Sequence, residues 1–461
     1  MKFQPLLSGT ALVLLHGPLL AAGMDCRLAA TTSEQTICAS PNLYRLDQRM
    51  GELYSNLAKG YPQKLPALRQ TQRAWLKQRD RCLAVEDCLT QEYDQRLAAL
   101  HVQLRDHLAY QPDDIDRLAL EDLRLAVEQT SQSNTEFPLE SVLESLLITS
   151  GETRFNNVSN DQSSSSESAR FPMQRPDGVS ADEWQALLAS EVETIGENGN
   201  TSYTLIDLNG DGLRDLIIDT YYGGTGLFSY IGTLQRSGER FFSSRPVDHN
   251  NRSEEDPPGY LYSLNGRGAN QAAYWIELRG RRYAAYHVGY YGIDYLYLLP
   301  PLALAGQVPT LTLNYRYQLS IPRIQTDDAA ATQIELSEVH HAALTHALSL
   351  VDAEPGNLDG PLCPIPAGTQ EDRLGAYYGF GPGHYTYEVV TDMAVILDGY
   401  CHVARLANWF GSYSAKQGLH AQLWIKRPGS DSEGQVYQVH GRRQIKNAAA
   451  SIGRVEGDNG F

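Results

Sequence analysis

Apolar positions recur every three or four residues through about the first 150 residues and then give way to short β-rich runs, so the pattern predicts helices first and strands after. Pro41 opens a helix, where its missing N–H would be unpaired anyway. Leu43, Leu46, Met50, Leu53 and Leu57 form one stripe along it, and Gly60 and Pro62 stop it. A second helix runs from about Pro66, with Leu68, Trp75 and Leu76 inward, to the Arg79-Asp80-Arg81-Cys82 corner. The third begins near Cys88 and carries Leu89, Tyr93, Leu97, Leu100 and Leu104. Short connections make these helices antiparallel neighbours. Helical spacing continues through Leu118, Leu120, Leu123 and Leu125, and again through Leu139, Val142, Leu143, Leu146 and Leu147. Ser180-Ala-Asp-Glu183 is a capping box opening a helix through Trp184, Leu187 and Leu188. Beyond it, 228–231, 273–278, 295–299, 385–390, 421–426 and 435–439 read as strands, with one helix at about 335–351. The fold class is α+β: a small antiparallel helical module followed by a β-rich body with a few helices.

The start of the chain changes the compartment. Lys2 precedes an apolar run from Leu6 to Leu20 with no acidic residue, and Ala21-Ala22-Gly23 offers a cleavage site, so residues 1–23 read as a signal peptide. Gly9, Gly17 and Pro18 break the run, which is too short for a comfortable span. Cys26 follows Met24-Asp25, which is not the small-residue context of a lipid-attachment cysteine. A periplasmic or secreted protein without a membrane span is expected. Six cysteines, an even number, all follow the cleavage point and predict disulfides. Cys26–Cys38 and Cys82–Cys88 each close a short loop beside a helix end, pairing across the hairpin (Cys38 with Cys82) stays open, and Cys363 with Cys401 makes the third. A core this small is expected to need such staples.

Charge is uneven. Residues 24–110 carry 12 Lys/Arg against 10 Asp/Glu, whereas residues 111–461 carry 25 against 45, within a net charge of -17. Nucleic acid is therefore an unsuitable partner. A basic protein or a divalent cation suits the acidic remainder.

The order Cys26…Thr31-Thr32…Glu34…Ile37-Cys38, Leu43…Leu46-Asp47, Tyr54, Gln72…Trp75-Leu76…Arg79-Asp80…Cys82, Cys88-Leu89…Tyr93…Arg96-Leu97 resembles the N-terminal domain of LprI-type lysozyme inhibitors. The resemblance covers about the first fifth of the mature chain. It implies an exported helical domain that binds, and in the founding lipoprotein inhibits, lysozyme. This chain departs from that founder in lacking a lipobox. Trp75 reads as core. Arg79 and Asp80 read either as a helix-end ion pair or as partner contacts.

The sharpest chemical motif is Asp207-Leu208-Asn209-Gly210-Asp211-Gly212-Leu213-Arg214-Asp215. Oxygen side chains at positions 1, 3, 5 and 9, a glycine at 6 and the Leu213 carbonyl at 7 match a calcium loop. Ile218 stands where an EF-hand needs its bidentate glutamate, and the flanks are β-rich. The loop thus resembles those of FG-GAP-type repeats, with a structural Ca2+; the alternative is a hairpin turn without an ion.

No nucleophile elbow, His-Glu-x-x-His or phosphate loop occurs, so no catalytic residue is assigned. His340, His341 and His346 read as a solvated helix face. Glu388, Asp392 and Asp398 are carboxylates without a pattern. The expected divisions are 24–110, the LprI-like module; 111–155, a helical extension; 156–179, a serine-rich linker; 180–352, a β-rich domain; and 353–461, a second one. The reading is an exported binding protein, not an enzyme, that occludes a cell-wall lytic enzyme such as lysozyme. The alternatives are an envelope hydrolase with its site in 200–460, or an immunity-type protein that binds a secreted toxin.

Overall fold

The computed structural model describes residues 24–60, 64–157, 171–172, 174–190, 192, 201–242, 260–266, 270–303, 306–327, 332–351, 360–384, 387–430 and 434–455. The expected signal peptide lies outside these residues, as does most of the serine-rich stretch. Two compact units divide the chain, 1–109 and 110–461.

In the first unit a 3-10 turn (Cys26–Leu28) leads to α1 (Thr32–Ala39), α2 (Pro41–Gly60), α3 (Leu65–Arg79), a second 3-10 turn (Asp80–Cys82) and α4 (Glu86–Leu108). The three predicted helices are present, and α1 is an addition. Its start is a reciprocal capping box: Glu34 N–H donates to Thr31 Oγ1 at 3.1 Å, and Thr31 N–H to Glu34 Oε2 at 2.9 Å. The Thr-x-x-Glu spacing signalled this helix. The apolar stripes close on one core of Ile37, Leu43, Leu53, Leu57, Leu68, Trp75, Leu89, Tyr93 and Leu100. Disulfides join Cys26 to Cys38 and Cys82 to Cys88, with Cα atoms 5.7 and 5.6 Å apart. Their 12- and 6-residue separations give each roughly 2–3 kcal/mol in the chain-entropy account.

The second unit is layered. A six-stranded antiparallel sheet is built from β1 (Thr153–Asn156), β2 (Thr201–Ile206), β3 (Asp215–Gly223), β4 (Phe228–Ser237), β5 (Arg240–Phe242) and β6 (Tyr262–Asn265), in the order β1-β2-β3-β4-β5 with β6 also on β4. Successive strand residues face opposite ways. Leu216 and Ile218 accordingly join Leu187 of α7 (Ala181–Leu188) in one core, and Ile217 joins Ala284, Tyr286 and Leu299 in another. Those last residues belong to a second antiparallel sheet. It comprises β7 (Asn270–Leu278), β8 (Arg281–Tyr290), β9 (Ile293–Leu299), β10 (Val308–Ser320), β13 (Tyr387–Leu397), β14 (Tyr400–Ser414), β15 (Gly418–Lys426) and β16 (Gln435–Gly453). Its order is β13-β14-β15-β16-β10-β9-β8-β7, while β11 (Ile324–Asp327) and β12 (Thr332–Glu335) pair apart.

The division expected at 352/353 is corrected by this topology. β10 pairs with β16 from Val308↔Gly453 to Ser320↔His440, so the two expected β domains share one sheet. The helical extension belongs to the same body. α5 (Asp114–Thr130) and α6 (Pro138–Ser145) bury Leu120, Leu123, Val127, Leu139 and Leu143 with Leu311, Leu313, Leu423 and Val439 of the sheet. Leu118 and Leu125, read as part of the apolar run, are exposed. A last helix, α8 (Glu338–Ser349), starts later than expected because 332–335 are strand. Cys363 is joined to Cys401, Cα to Cα 5.7 Å.

Candidate functional site

The residues that carry the family resemblance form the interior polar frame of the first unit. α4 places Tyr93 fully inside, where its hydroxyl donates to Asp47 Oδ1 of α2 at 2.7 Å. Asp47 Oδ2 also accepts Met24 N–H at 2.6 Å. Burial, then the neighbouring Asp47 charge, pushes the Tyr93 phenol far above its usual range. Arg79, 3% exposed, donates to Asp80 Oδ1 through Nε (3.0 Å) and Nη2 (2.7 Å), and through Nη1 to Tyr93 Oη at 3.5 Å. Burial works against its charge, but Asp80 and Tyr93 outweigh it and raise the Arg79 pKa. The guanidinium lies 5.6 Å from the Trp75 ring centroid, and Trp75 Nε1 donates to the Glu92 carbonyl at 3.1 Å. Arg96, also buried, donates twice to Gln72 Oε1, at 2.9 and 2.7 Å.

This arrangement separates fold from contact. Arg79, one of the two residues offered to a partner from sequence, is turned inward and satisfied there. Asp80 keeps its side chain 37% exposed while its backbone carbonyl accepts Ser33 Oγ at 3.3 Å. A partner of this unit can reach Asp80 but not the Arg79 guanidinium, and meets other side chains beside it.

Two surface features provide them. The first is the loop closed by Cys82–Cys88, where Leu83 is 61% and Val85 58% exposed. Leu83 has φ 52° and ψ -118°, backbone that favours glycine over a leucine. The second is a groove on α2 and α3 lined by Met50, Tyr54, Leu76, Arg69 and Arg73. α3 contains no acidic residue, and the described residues hold no ion pair for Arg69, Arg73 or Lys77, so this face is cationic.

The 207–215 loop connects β2 to β3, as its β-rich flanks imply. Asp207 Oδ1 and Oδ2 accept Gly210 N–H (2.6 Å) and Gly212 N–H (3.1 Å), Asn209 Oδ1 accepts Asp211 N–H (3.0 Å), and Asp211 Oδ1 accepts Leu213 N–H (2.8 Å). Asp215 is wholly buried and accepts Leu208 N–H and Arg236 N–H, both at 2.9 Å. Burial, followed by the charges of Asp211 and Asp207, pushes its carboxyl up to about 6 against those two N–H groups. Oxygen donors crowded to this extent have the chemistry for a hard cation. Arg282 stands 3.6 Å from Asp207, and among the described residues no three acidic, histidine or cysteine side chains converge as a metal set.

The remaining sequence candidates do not converge on one site. His340 Nε2 meets Asp398 Oδ1 at 2.9 Å and His341 Nε2 the Ile321 carbonyl at 2.9 Å. Asp392 is paired with Arg405 at 2.6 Å, and Glu388 accepts Tyr291 N–H at 3.1 Å. Sequence reading missed one constellation altogether, centred on Arg443 of β16. Its Nη1 meets Asp294 Oδ2 at 3.2 Å, its Nη2 Glu140 Oε1 at 2.8 Å and its Nε the Glu136 carbonyl at 2.8 Å. The Tyr315 and Tyr413 ring centroids lie 4.4 and 4.6 Å from the guanidinium carbon. Burial would raise the Asp294 carboxyl, but His287 (3.2 Å) and Arg443 hold it below its ordinary value. The available signal was parity. Asp294 lies in step with the core residues Leu296 and Leu298 along β9, which puts a carboxylate on the buried face.

No curated protein and no solved structure matches the chain. Residues 26–100, the stretch that builds the stapled helices and their polar frame, match the family model of the lysozyme inhibitor LprI.

Proposed function

We propose that this is an exported protein, periplasmic or secreted, whose N-terminal module binds a lysozyme-type cell-wall lytic enzyme and inhibits it by covering the substrate cleft. The observation that carries this reading is the match of residues 26–100 to the LprI family together with the stapled helical module those residues form. Three disulfides suit an oxidising compartment. No described helix is long and apolar enough to cross a membrane. Inhibition is by occlusion and involves no covalent step.

Electrostatics divides the labour. The module is nearly neutral, at 12 basic against 10 acidic residues, so it supplies little long-range attraction for a cationic enzyme. Residues 111–461, with 45 acidic against 25 basic, supply it. Such steering raises the association rate and fades with salt.

The test is a muramidase assay, with the mature protein and residues 24–110 each titrated into lysozyme acting on peptidoglycan at low and moderate salt. Both are expected to inhibit, and the full-length protein should lose more potency as salt rises. Absence of inhibition by either would remove the lysozyme reading.

A further inference from the structure

We propose that the Cys82–Cys88 loop is the element that enters the partner's cleft, with Leu83 and Val85 as its apolar anchors; this rests on the inhibitor reading above.

Four observations converge on the loop. It is held at both ends: Cys82 and Leu89 are buried, Leu83 N–H donates to the Asp80 carbonyl (3.4 Å), Val85 N–H to the Cys82 carbonyl (3.0 Å) and Leu89 N–H to the Val85 carbonyl (3.1 Å). With the disulfide closing a separation of six residues, little chain entropy is left to lose on binding. Its tip shows water two large apolar side chains, Leu83 at 61% and Val85 at 58%. Leu83 also sits at φ 52°, which costs a leucine conformational energy that its exposed side chain does not offset by packing. Glycine would hold that backbone more cheaply, so retaining leucine there is understandable if the side chain acts outside the molecule.

Charge decides between this loop and the groove on α3. Glu86, which accepts Ser40 Oγ at 3.2 Å, and Asp87 follow the tip directly, exposed in the first turn of α4, and outnumber the exposed cation on the other side of the loop, Arg81. They present an acidic shoulder to a cationic enzyme. The α3 groove presents Arg69 and Arg73 instead and would repel the same enzyme. An exposed apolar tip with a net acidic flank therefore suits the cleft of a cationic muramidase.

The experiment compares the mature protein with three variants in the same assay, with thermal unfolding recorded for each. Leu83→Ser combined with Val85→Ser is expected to weaken inhibition about tenfold or more at unchanged Tm, as loss of a central apolar anchor does. Leu83→Gly should weaken inhibition while leaving stability equal or slightly higher, a divergence that a merely structural leucine would not produce. Arg73→Glu, on the cationic face, should inhibit as the parent does. If the parent inhibits and the double variant inhibits equally, or if Arg73→Glu alone abolishes inhibition, the loop assignment is overturned and the inhibitor reading stands. If the parent does not inhibit, both fall together.

Discussion

In each unit an arginine that is 3% exposed, Arg79 in one and Arg443 in the other, lies between carboxylate and aromatic partners, yet the two arrangements are built over very different stretches of chain. Arg79 reaches Asp80 and Tyr93, one and fourteen residues away, and faces Trp75, four residues back. Arg443 reaches Asp294, Glu140 and the Glu136 carbonyl, 149, 303 and 307 residues away. Trp75 and Arg79 meet by helix periodicity, and the longest bond of this frame, Tyr93 to Asp47 across 46 residues, still lies within one run of short-looped helices, so the frame can be written as a spaced motif. A frame made across a sheet is held together by topology and leaves no spacing to read.

The comparison also ranks the consequences of breaking each frame. Arg443→Met strands the buried carboxylate of Asp294 and the half-buried one of Glu140, a loss that costs about 3–5 kcal/mol in an interior. Arg79→Met leaves Asp80, whose side chain is 37% exposed and stays hydrated, so roughly 1.5–3 kcal/mol is expected. Urea unfolding followed by circular dichroism should place the Arg443 variant well below the Arg79 variant. The reverse order would mean that the body's cluster is hydrated or dispensable, and that the inward frame of the module is the more critical one.

What the sequence disclosed follows the same division. The three long helices, their apolar stripes and the short-loop cysteine pairs were legible because all of them are local. So was the turn at 207–215, where Asn, Asp and Gly bond their own backbone. The sheet order was not, since nothing in Val308–Ser320 or Gln435–Gly453 alone says that they pair, and a domain boundary was accordingly drawn between them at 352/353. Among the residues that carry the family resemblance, Trp75 reads as core and Arg79 as an ion pair or a partner contact, and Asp47, Trp75, Arg79, Tyr93 and Arg96 are all buried. Leu83 and Val85, ordinary in sequence, stand outside.

A second ion pair sharpens the contrast by acting through pH. Glu183 of α7 accepts Arg214 Nε at 2.7 Å, Arg214 Nη2 at 2.6 Å and Ser180 N–H at 2.8 Å. Burial would raise its carboxyl, but Arg214 and Ser180 prevail and hold it at about 2, against 4.5 unperturbed. A depressed carboxylate contributes stability that is present above the unfolded value and lost as pH falls from about 4.5 through about 2. The body should therefore lose part of its urea resistance across that window, and Glu183→Gln should start lower at neutral pH and flatten the decline. An undiminished decline in the variant would assign the acid sensitivity to other carboxylates.

The smallest effect expected is at the 207–215 loop, where the calcium reading and a plain turn make different claims. Each N–H bond to Asp207 or Asp211 uses one lone pair of its oxygen and leaves another for an ion. The charges of Asp211 and Asp207 meanwhile add to the cost of ionising buried Asp215, which a divalent cation would relieve. If Ca2+ is held there, millimolar Ca2+ should raise the Tm of the full chain over a chelator control by roughly one to a few degrees, since a ligand that binds only the folded state stabilises it by mass action. Asp211→Ala should abolish that shift, and because Asp211 is exposed the variant should lose little stability in the chelator. An equal Tm with and without Ca2+ would leave a hairpin closed by its own side chains. The body would then be held by its two sheets and by Arg443, with no ion needed.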